Sequence, residues 1–220
     1  MLGVNIFPIG IETLRPVAMM HLQAFKSPLG LRYAESCIRW FLCAEQAIAF
    51  VATDIKGRVI GYVVGAPLKY IRRKGCDLRG VEAREMMLRP WLLLNGRFRN
   101  TVMARLRRAL EHFQTDLAKP ELPEPTAEPE ISEPTMVLAH IAVSPSAREK
   151  QVGLHLMQAF EARAREFGMR ALVLSVNERN KAARRLYEKC GWQIFPNPDD
   201  KKEAIQYVRL LFSLFALVAE

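Results

Sequence analysis

The segment Val143–Gly153 (VSPSAREKQVG) has the composition of a strand end, a turn and the first turn of a helix. The first N–H groups of a helix have no partner within it, and the helix dipole is positive at this end. Such a turn can bind a phosphate group with its backbone amides. The same residues also suit a plain strand-to-helix connection in which Gly153 serves helix packing, so this segment alone leaves both interpretations open.

A second motif, N-x-x-A-x-x-L-Y-E-K-x-G-W, runs from Asn180 to Trp192. Together with V-x-P-x-x-R-x-x-Q-x-G over Val143–Gly153, it resembles the GNAT acetyltransferases. Their pattern is V-x-P-x-x-[RQ]-x-x-G-x-[GA], then a helix, a strand and N-x-x-A-x-x-L-Y-x-x-x-G-F. The resemblance covers Leu138–Trp192 closely and the layout of Thr13–Gly65 more loosely, and residues 68–134 lie outside it.

The resemblance implies transfer of an acetyl group from acetyl-CoA, a co-substrate, to a primary amine by direct attack in a ternary complex. In that scheme Tyr187 protonates the leaving thiolate, Asn180 hydrogen-bonds the pantetheine arm, and the amides of Arg148–Gly153 hold the pyrophosphate. The strand residues offer backbone groups to the arm as if it were an added strand. The implied acetyl-CoA-binding residues are Ile141, Ala142, Val143, Arg148, Glu149, Lys150, Gln151, Val152, Gly153, Leu154, Asn180, Ala183 and Tyr187.

One residue departs from the family pattern, because Gln151 stands where the family has the first glycine of the loop. Its side chain could crowd the pyrophosphate, or its amide could donate to it. Since Arg148 and Gly153 are both kept, we expect the loop to accommodate the change.

His140 is the candidate general base, as the histidine of the predicted strand Met136–Val143. Side chains alternate along a strand, so His140 is expected on the face opposite Ile141 and Val143. A packed or hydrogen-bonded structural histidine is therefore the favoured interpretation, and a chain of water molecules can take the amine proton in its place.

Periodicity predicts the elements that position these residues. The fold class is α/β, with a GNAT-like mixed central β-sheet flanked by helices and a helical insertion between the third and fourth strands. Thr13 is expected to cap the first helix. The predicted helices are Thr13–Phe25, Leu31–Ala44, Val152–Phe167 and Asn180–Cys190, and the predicted strands are Ala47–Thr53, Val59–Val64, Met136–Val143, Ala171–Val176, Trp192–Phe195 and Ala204–Phe212.

Four segments are predicted along the chain. Residues 1–67 are the N-terminal half of the acetyltransferase domain, and residues 135–220 are the C-terminal half that carries the acetyl-CoA site. Residues 68–119 form a basic helical insertion, with thirteen basic and five acidic residues in Lys69–Lys119. Residues 120–134 contain five prolines and five glutamates. They have little apolar surface to bury and are expected to form a linker that folding does not need.

Three roles remain open for the insertion. It can be a helical hairpin that packs on the domain, a lid that recognises an anionic acceptor such as a nucleotide-linked amino sugar, or a membrane-surface or homodimer contact through the stripe Val102–Leu117. The C-terminus is the other candidate for such a membrane or homodimer contact. Nucleic acid is not expected, because no aromatic side chains are interleaved with the basic ones.

Composition narrows the class of protein. Half of the residues are hydrophobic and the net charge is +9, which favours a folded domain with anionic partners. The four cysteines are scattered with no C-x-x-C pair, so metal spacing is absent, and a disulfide framework is not expected in a chain of this size. The N-terminus lacks the features of a signal peptide and Val208–Ala219 is too short to span a bilayer, so a cytoplasmic location is expected.

The predicted function is thus an N-acetyltransferase for an unidentified small-molecule amine, with an anionic acceptor such as an amino sugar as one option. Two alternatives stay open. One is an acetyltransferase that acts on a protein amine. The other is a non-catalytic CoA-binding or interaction module, which Gln151 and the large insertion would suit.

Overall fold

The computed structural model describes residues 3–89, 134–148, 150–195 and 204–211. These residues form a mixed sheet with strand order β1-β2-β3-β4-β5-β7-β6 and helices on both of its faces, which confirms the predicted fold class. The strands are β1 (Asn5–Pro8), β2 (Ile48–Thr53), β3 (Val59–Pro67), β4 (Thr135–Val143), β5 (Ala171–Asn177), β6 (Gln193–Phe195) and β7 (Ala204–Leu210). The helices are α1 (Ile11–Phe25), α2 (Gly30–Cys43), α3 (Leu68–Asp77), α4 (Arg79–Met87), α5 (Val152–Glu166) and α6 (Lys181–Lys189).

Side chains alternate along the strands into two separate cores, one on each face of the sheet. The core of the α5 face holds Leu156 and Phe160 against Met136 and Leu172, all fully buried. The core of the α1 face is built from α1, α2 and the opposite side of β2 and β3. The sheet therefore separates two sets of helices that meet different sides of β4.

The central strands β4 and β5 are parallel, yet they pair only near their N-terminal ends. Thr135, Met136 and Val137 lie opposite Ala171, Leu172 and Val173, and the pairing stops there. Both strands continue, β4 to Val143 and β5 to Asn177, while β5 stays paired with β7 along its full length. The C-terminal half of β4 therefore has an open edge toward β5, and the two strands diverge from an apex at Val137 and Val173.

A bulge interrupts β4 just beyond that apex. His140 pairs with Val64 of β3 and Leu138 pairs with Gly65, so Ala139 is the extra residue between them. Leu138 packs into the core of the α5 face, whereas Ala139 packs against the core of the α1 face. Because a bulge puts two successive residues on one side of a sheet, it also turns His140 toward the α1 face.

The start of α1 and the presence of β1 differ from the sequence prediction. Helix α1 begins at Ile11, and its cap residue is Gly10 rather than Thr13. The Thr13 hydroxyl accepts the N–H of Gly10 at 3.0 Å and donates to its carbonyl at 3.1 Å. Thr13 therefore stabilises the first turn from a position within the helix. The sequence analysis also missed β1, because its four residues carry no clear alternation and their partner, β2, is distant in sequence.

The described part of the insertion consists of α3 and α4, which pack on α2. Trp40 Nε1 of α2 donates to Asp77 Oδ2 at 2.8 Å. At the other end, Arg89 donates to the carbonyl of Pro28 at 3.3 Å and lies 3.7 Å from the buried carboxylate of Glu85. The predicted stripe Val102–Leu117 and nearly all of the predicted linker 120–134 lie outside the described residues.

Candidate active site

The open edge of β4 leads through a short turn to the start of α5. Ile141, Ala142 and Val143 are half-buried, and their backbone groups on the side of β5 have no strand partner. After Val143 the chain makes a 3₁₀ turn at Pro145–Ala147 and enters α5. An extended ligand can therefore pair with β4 and end at the N-terminus of α5.

The N-terminus of α5 is not capped by any side chain. The first intrahelical bond runs from the N–H of His155 to the carbonyl of Gln151, which leaves the amides of Val152, Gly153 and Leu154 unpaired within the helix. These amides and the helix dipole make a site for an anionic group. The side chains of Arg148 and Lys150 are exposed beside them, and Glu149 lies outside the described residues.

Gln151 itself adopts the left-handed conformation, with φ 57° and ψ 11°. This region favours glycine, so the backbone keeps the shape that suits the family's glycine although the side chain is larger. The Gln151 side chain is exposed. The departure from the family pattern therefore strains the backbone at this position more than it crowds the loop with a side chain.

Gly153 allows three elements to meet. A Cβ atom placed there would lie 3.0 Å from Leu186 Cδ2 of α6 and 3.7 Å from Val143 Cγ2 of β4. The absent side chain thus lets α5 approach α6 and β4 while its own amide stays uncovered. The helix-packing role of Gly153 is therefore observed, whereas the binding of a ligand by its amide stays a prediction.

Asn180 and Ala183 form the first turn of α6. The Asn180 side-chain oxygen accepts the N–H of Ala183 at 3.2 Å, which caps the helix. Asn180 is exposed, and because its oxygen serves the cap, its side-chain NH₂ group is left to donate elsewhere. Capping and ligand binding are therefore compatible at this residue.

Tyr187 is buried on the α5 face, with its ring 6.1 Å from that of Trp192 and 5.8 Å from that of Tyr207. In the described part of the chain its hydroxyl makes no hydrogen bond, and no buried side-chain oxygen or nitrogen there lacks a partner. The hydroxyl oxygen must therefore reach solvent. Burial raises the pKa of Tyr187 to about 12, with smaller contributions from Cys190 and Tyr207.

A buried polar network that the sequence did not predict is linked to Tyr187 through Trp192. Glu161 of α5 is 4% exposed and accepts from Trp192 Nε1 at 3.0 Å and from Arg209 at 3.1 Å. The backbone N–H of Trp192 donates to the backbone carbonyl of Tyr187. The only signal in the sequence was a glutamate on the apolar stripe of α5, which does not reveal its partners.

His140 lies on the opposite face from Ile141 and Val143, as strand alternation predicts. Its ring is packed by His21 at 4.8 Å, Phe25 at 4.9 Å and Phe41 at 6.2 Å between ring centroids. No hydrogen bond holds its nitrogens within the described residues. Burial lowers the pKa of His140 well below the ordinary value, and Lys74 and His21 lower it further.

His21, also missed as a site residue, joins His140 to β3. Its Nδ1 is 2.6 Å from the hydroxyl of the fully buried Tyr62. Burial first and Lys74 second lower the pKa of His21 to about 4. Both imidazoles are therefore neutral at pH 7, with an aromatic cage around them.

Neither a metal site nor a membrane span is found in the described ranges. No three histidine, cysteine, aspartate or glutamate side chains there converge closely enough to hold a metal ion. Within the same ranges, no helix combines the length and the apolar character that crossing a bilayer requires.

Comparisons with known proteins agree with this geometry. Residues 108–192 match the family model described as the acetyltransferase (GNAT) family, so the match begins inside the segment expected to lie outside the resemblance. No curated protein is significantly similar to the chain.

Solved structures share the fold at low sequence identity. A GNAT-family acetyltransferase from Staphylococcus aureus Mu50 superposes with a TM-score of 0.58 at 10% identity, covering 96% of this chain and all of the other. Ard1 from Thermoplasma volcanium gives 0.56 at 16% identity, covering 96% and 99%. The ribosomal-protein-S18-alanine N-acetyltransferase from Escherichia coli gives 0.51 at 15% identity, covering 95% and 94%.

Proposed function

We propose that this chain, a member of the GNAT acetyltransferase family, transfers an acetyl group from acetyl-CoA to a primary amine. The observation that carries the proposal is the open edge of β4, which ends at an uncapped helix N-terminus. A free tyrosine hydroxyl lies on the same face of the sheet. These features suit a long ligand with a phosphate group at one end and a reactive group at the other.

Acetyl-CoA would supply the activated thioester. The pyrophosphate would bind the amides of Val152–Leu154, and Asn180 would donate its NH₂ group to the pantetheine arm. The arm would run along Val143 and Ile141 toward the apex where β4 and β5 pair. This direction brings the thioester end close to the bulge at Ala139.

Tyr187 is proposed as the proton donor to the departing thiolate. Its raised pKa keeps the hydroxyl protonated at neutral pH, and no hydrogen bond from the described residues competes for it. Its apolar surroundings would also raise the pKa of a thiol placed there, because burial disfavours any charged form. The thiolate would then accept a proton that it could not hold as easily in water.

The amine would approach from the α1 face, through the opening between β4 and β5. His140 is on that face, and its nitrogens make no hydrogen bond within the described residues. It is therefore the proposed candidate for receiving the amine proton. Its lowered pKa makes it a weak base in the free protein, and a chain of water molecules remains the alternative route.

Two alternative functions also require a test. The Escherichia coli structural neighbour is named for a protein substrate, which favours testing a protein amine as acceptor. The left-handed Gln151 favours testing a non-catalytic CoA-binding module. Our proposal gives priority to a small-molecule amine, because α3 and α4 pack beside the proposed acceptor side.

The experiment has two stages. Thermal unfolding with and without acetyl-CoA measures binding, and linkage gives about 2.7 kcal/mol of stabilisation at 100 times Kd. CoA release is then measured with a library of small amines and N-terminal peptides. No stabilisation at millimolar acetyl-CoA would refute the site, whereas stabilisation without CoA release from any amine favours the non-catalytic module. Release only with peptides would transfer the proposal to protein substrates.

A further inference from the structure

Lys74 is a cation that the insertion places against the α1 face. Its Nζ atom lies 4.2 Å from the centroid of the Phe41 ring and 5.9 Å from that of Trp40. The side chain is half-buried. Burial lowers the pKa of Lys74, and the opposing influence comes from the Cys37 thiol rather than from a carboxylate. Among the described residues, no anion compensates this partly desolvated ammonium group.

The charges buried elsewhere in the molecule have partners. The buried carboxylate of Glu161 is bound by Arg209 and Trp192. The buried carboxylate of Glu85 lies beside Arg89. No carboxylate in the described residues is within ion-pair distance of Lys74. Cation–π contacts offset only part of the desolvation cost of an ammonium group, so Lys74 differs from the other buried charges in lacking its counter-charge.

The surroundings of Lys74 would suit an incoming anion. The Phe41 ring that contacts Lys74 at 4.2 Å lies 6.2 Å from the His140 ring, which is 4.8 Å from the His21 ring. The charge of Lys74 lowers the pKa of both imidazoles. Lys74 makes no hydrogen bond, and no buried side-chain nitrogen in the described chain lacks a partner, so its Nζ reaches solvent. Phe25, in contact with both imidazoles, is 45% exposed. The cluster therefore opens to the surface on the side from which an amine would approach.

We propose that Lys74 binds an oxyanion, a carboxylate or a phosphate, of the acceptor, so that α3 selects amines that carry a negative charge. This inference rests on the proposed function, since it assigns a residue to the acceptor side of the same site. His140 belongs to β4 next to the bulge at Ala139. An anion held by Lys74 would therefore keep the rest of the acceptor near the proposed thioester position.

Binding of an anion would also change the neighbouring imidazoles. The titratable groups that act on His140 are His21 from α1 and Lys74 from α3. Lys74 in turn lies near Cys37 of α2, on which Glu82 of α4 also acts. Lys74 is the cation among them that disfavours protonation of His140. An oxyanion bound to Lys74 would remove that repulsion, and His140 would become a stronger base when the acceptor is present.

The test compares Lys74→Met, Lys74→Arg and the matched control Lys69→Met, whose lysine is exposed on the same helix. Acceptors are offered in pairs that differ only in charge. One set of pairs is amino acids and their amides, and the other is amino sugars with and without a phosphate group. The two sets distinguish carboxylate recognition from phosphate recognition, and thermal unfolding verifies that each variant is folded.

We expect the wild type and Lys69→Met to prefer the anionic member of at least one set by about 10-fold or more in kcat/KM, the scale of one charged hydrogen bond. Lys74→Met should reduce this preference to about 1, mainly through KM, and Lys74→Arg should keep most of it. Equal rates for the members of every pair in the wild type, or an unchanged preference in Lys74→Met, would overturn the proposal.

A second measurement tests the proposed anion site without requiring catalytic turnover. Inorganic phosphate and acetate are titrated into the protein while the imidazole NMR signals of His21 and His140 are followed. Saturable shifts in the wild type and Lys69→Met that are lost in Lys74→Met support the anion site, and their absence in the wild type rejects it. If acetyl-CoA binds but no amine is acetylated, the proposed function fails while this titration still decides the role of Lys74.

Discussion

The two faces of the sheet are assembled in different ways. On the α5 face, the open edge of β4, the helix N-terminus and Tyr187 all come from Thr135–Phe195, a nearly continuous stretch of chain. On the α1 face, the cluster around His140 draws on α1, α2, α3 and β3 as well as β4. The proposed CoA side is therefore encoded locally, whereas the proposed acceptor side depends on contacts between distant segments.

A site made from one stretch of chain can keep its motif while other segments change. The proposed acceptor side uses a helix of the insertion, so we expect a change in the insertion to change its specificity. The two faces meet at β4, where Ile141 belongs to one and His140 to the other.

The largest effect is expected from a substitution on the α5 face. Tyr187→Phe should lower kcat by about 10²–10⁴-fold, because general acid catalysis acts as the thiolate leaves. The affinity for acetyl-CoA should change little, since the hydroxyl makes no hydrogen bond in the described chain. Single-turnover rates and a separate binding titration measure the two quantities.

Tyr207→Phe is the matched control, since its hydroxyl binds Arg184 and Glu188 within the protein. That variant should keep kcat within a few-fold of the wild type. A Tyr187→Phe enzyme with an unchanged chemical rate would reassign Tyr187 to packing.

The next effect concerns acetyl-CoA binding. Gly153→Glu should abolish the roughly 2.7 kcal/mol of stabilisation expected at 100 times Kd, because it sets a carboxylate and a bulky chain beside the helix N-terminus. Gly80→Glu, at a glycine with open space around it, should retain the stabilisation. If Gly153→Glu is stabilised like the wild type, the pyrophosphate binds elsewhere.

The α1 face predicts a pH dependence of stability. His21 has a pKa of about 4 when folded, against about 6.5 in the unfolded chain, so between these values the unfolded chain binds the proton. Stability should be complete above about pH 6.5 and fall as the pH approaches 4, by an amount on the order of 3 kcal/mol from His21. Denaturant unfolding between pH 7 and pH 4 measures this loss.

The variant His21→Gln keeps a hydrogen-bonding group near Tyr62 and should make the profile less steep, with the contribution of His140 remaining. His155→Gln, at an exposed histidine of α5, should leave the profile unchanged. Parallel profiles for the wild type and His21→Gln would mean that His21 is protonated normally in the folded protein.

The smallest effect is expected at Gln151. Gln151→Gly should relieve the left-handed backbone at φ 57° but add freedom to the unfolded chain, so a net gain below about 1 kcal/mol is expected. Gln151→Val should be less stable than the wild type by about 1 kcal/mol or more, because a β-branched residue tolerates positive φ poorly. Equal stability of the valine and glycine variants would show that the left-handed conformation is not kept in solution.

Much of the fold could be predicted from the sequence because most elements carry strong local signals. The apolar stripe of α5 and the continuous apolar run of β5 gave their positions to within a residue. Strand β1 could not be predicted in the same way, since Asn5–Pro8 becomes a strand only by pairing with Phe50–Thr53. The start of α1 was misplaced because the Thr13 hydroxyl acts from inside the first turn.

The sequence by itself determined the fold class and the elements on which Asn180, Gly153 and Tyr187 lie, because these depend on residues close together in one stretch of chain. Tertiary structure alone decided where β4 separates from β5, which side chains surround His140, and that Lys74 reaches the same cluster from the insertion. Those outcomes depend on how strands pair and how helices pack across long sequence separations. Such contacts leave no periodic signal, and only the assembled sheet brings them together.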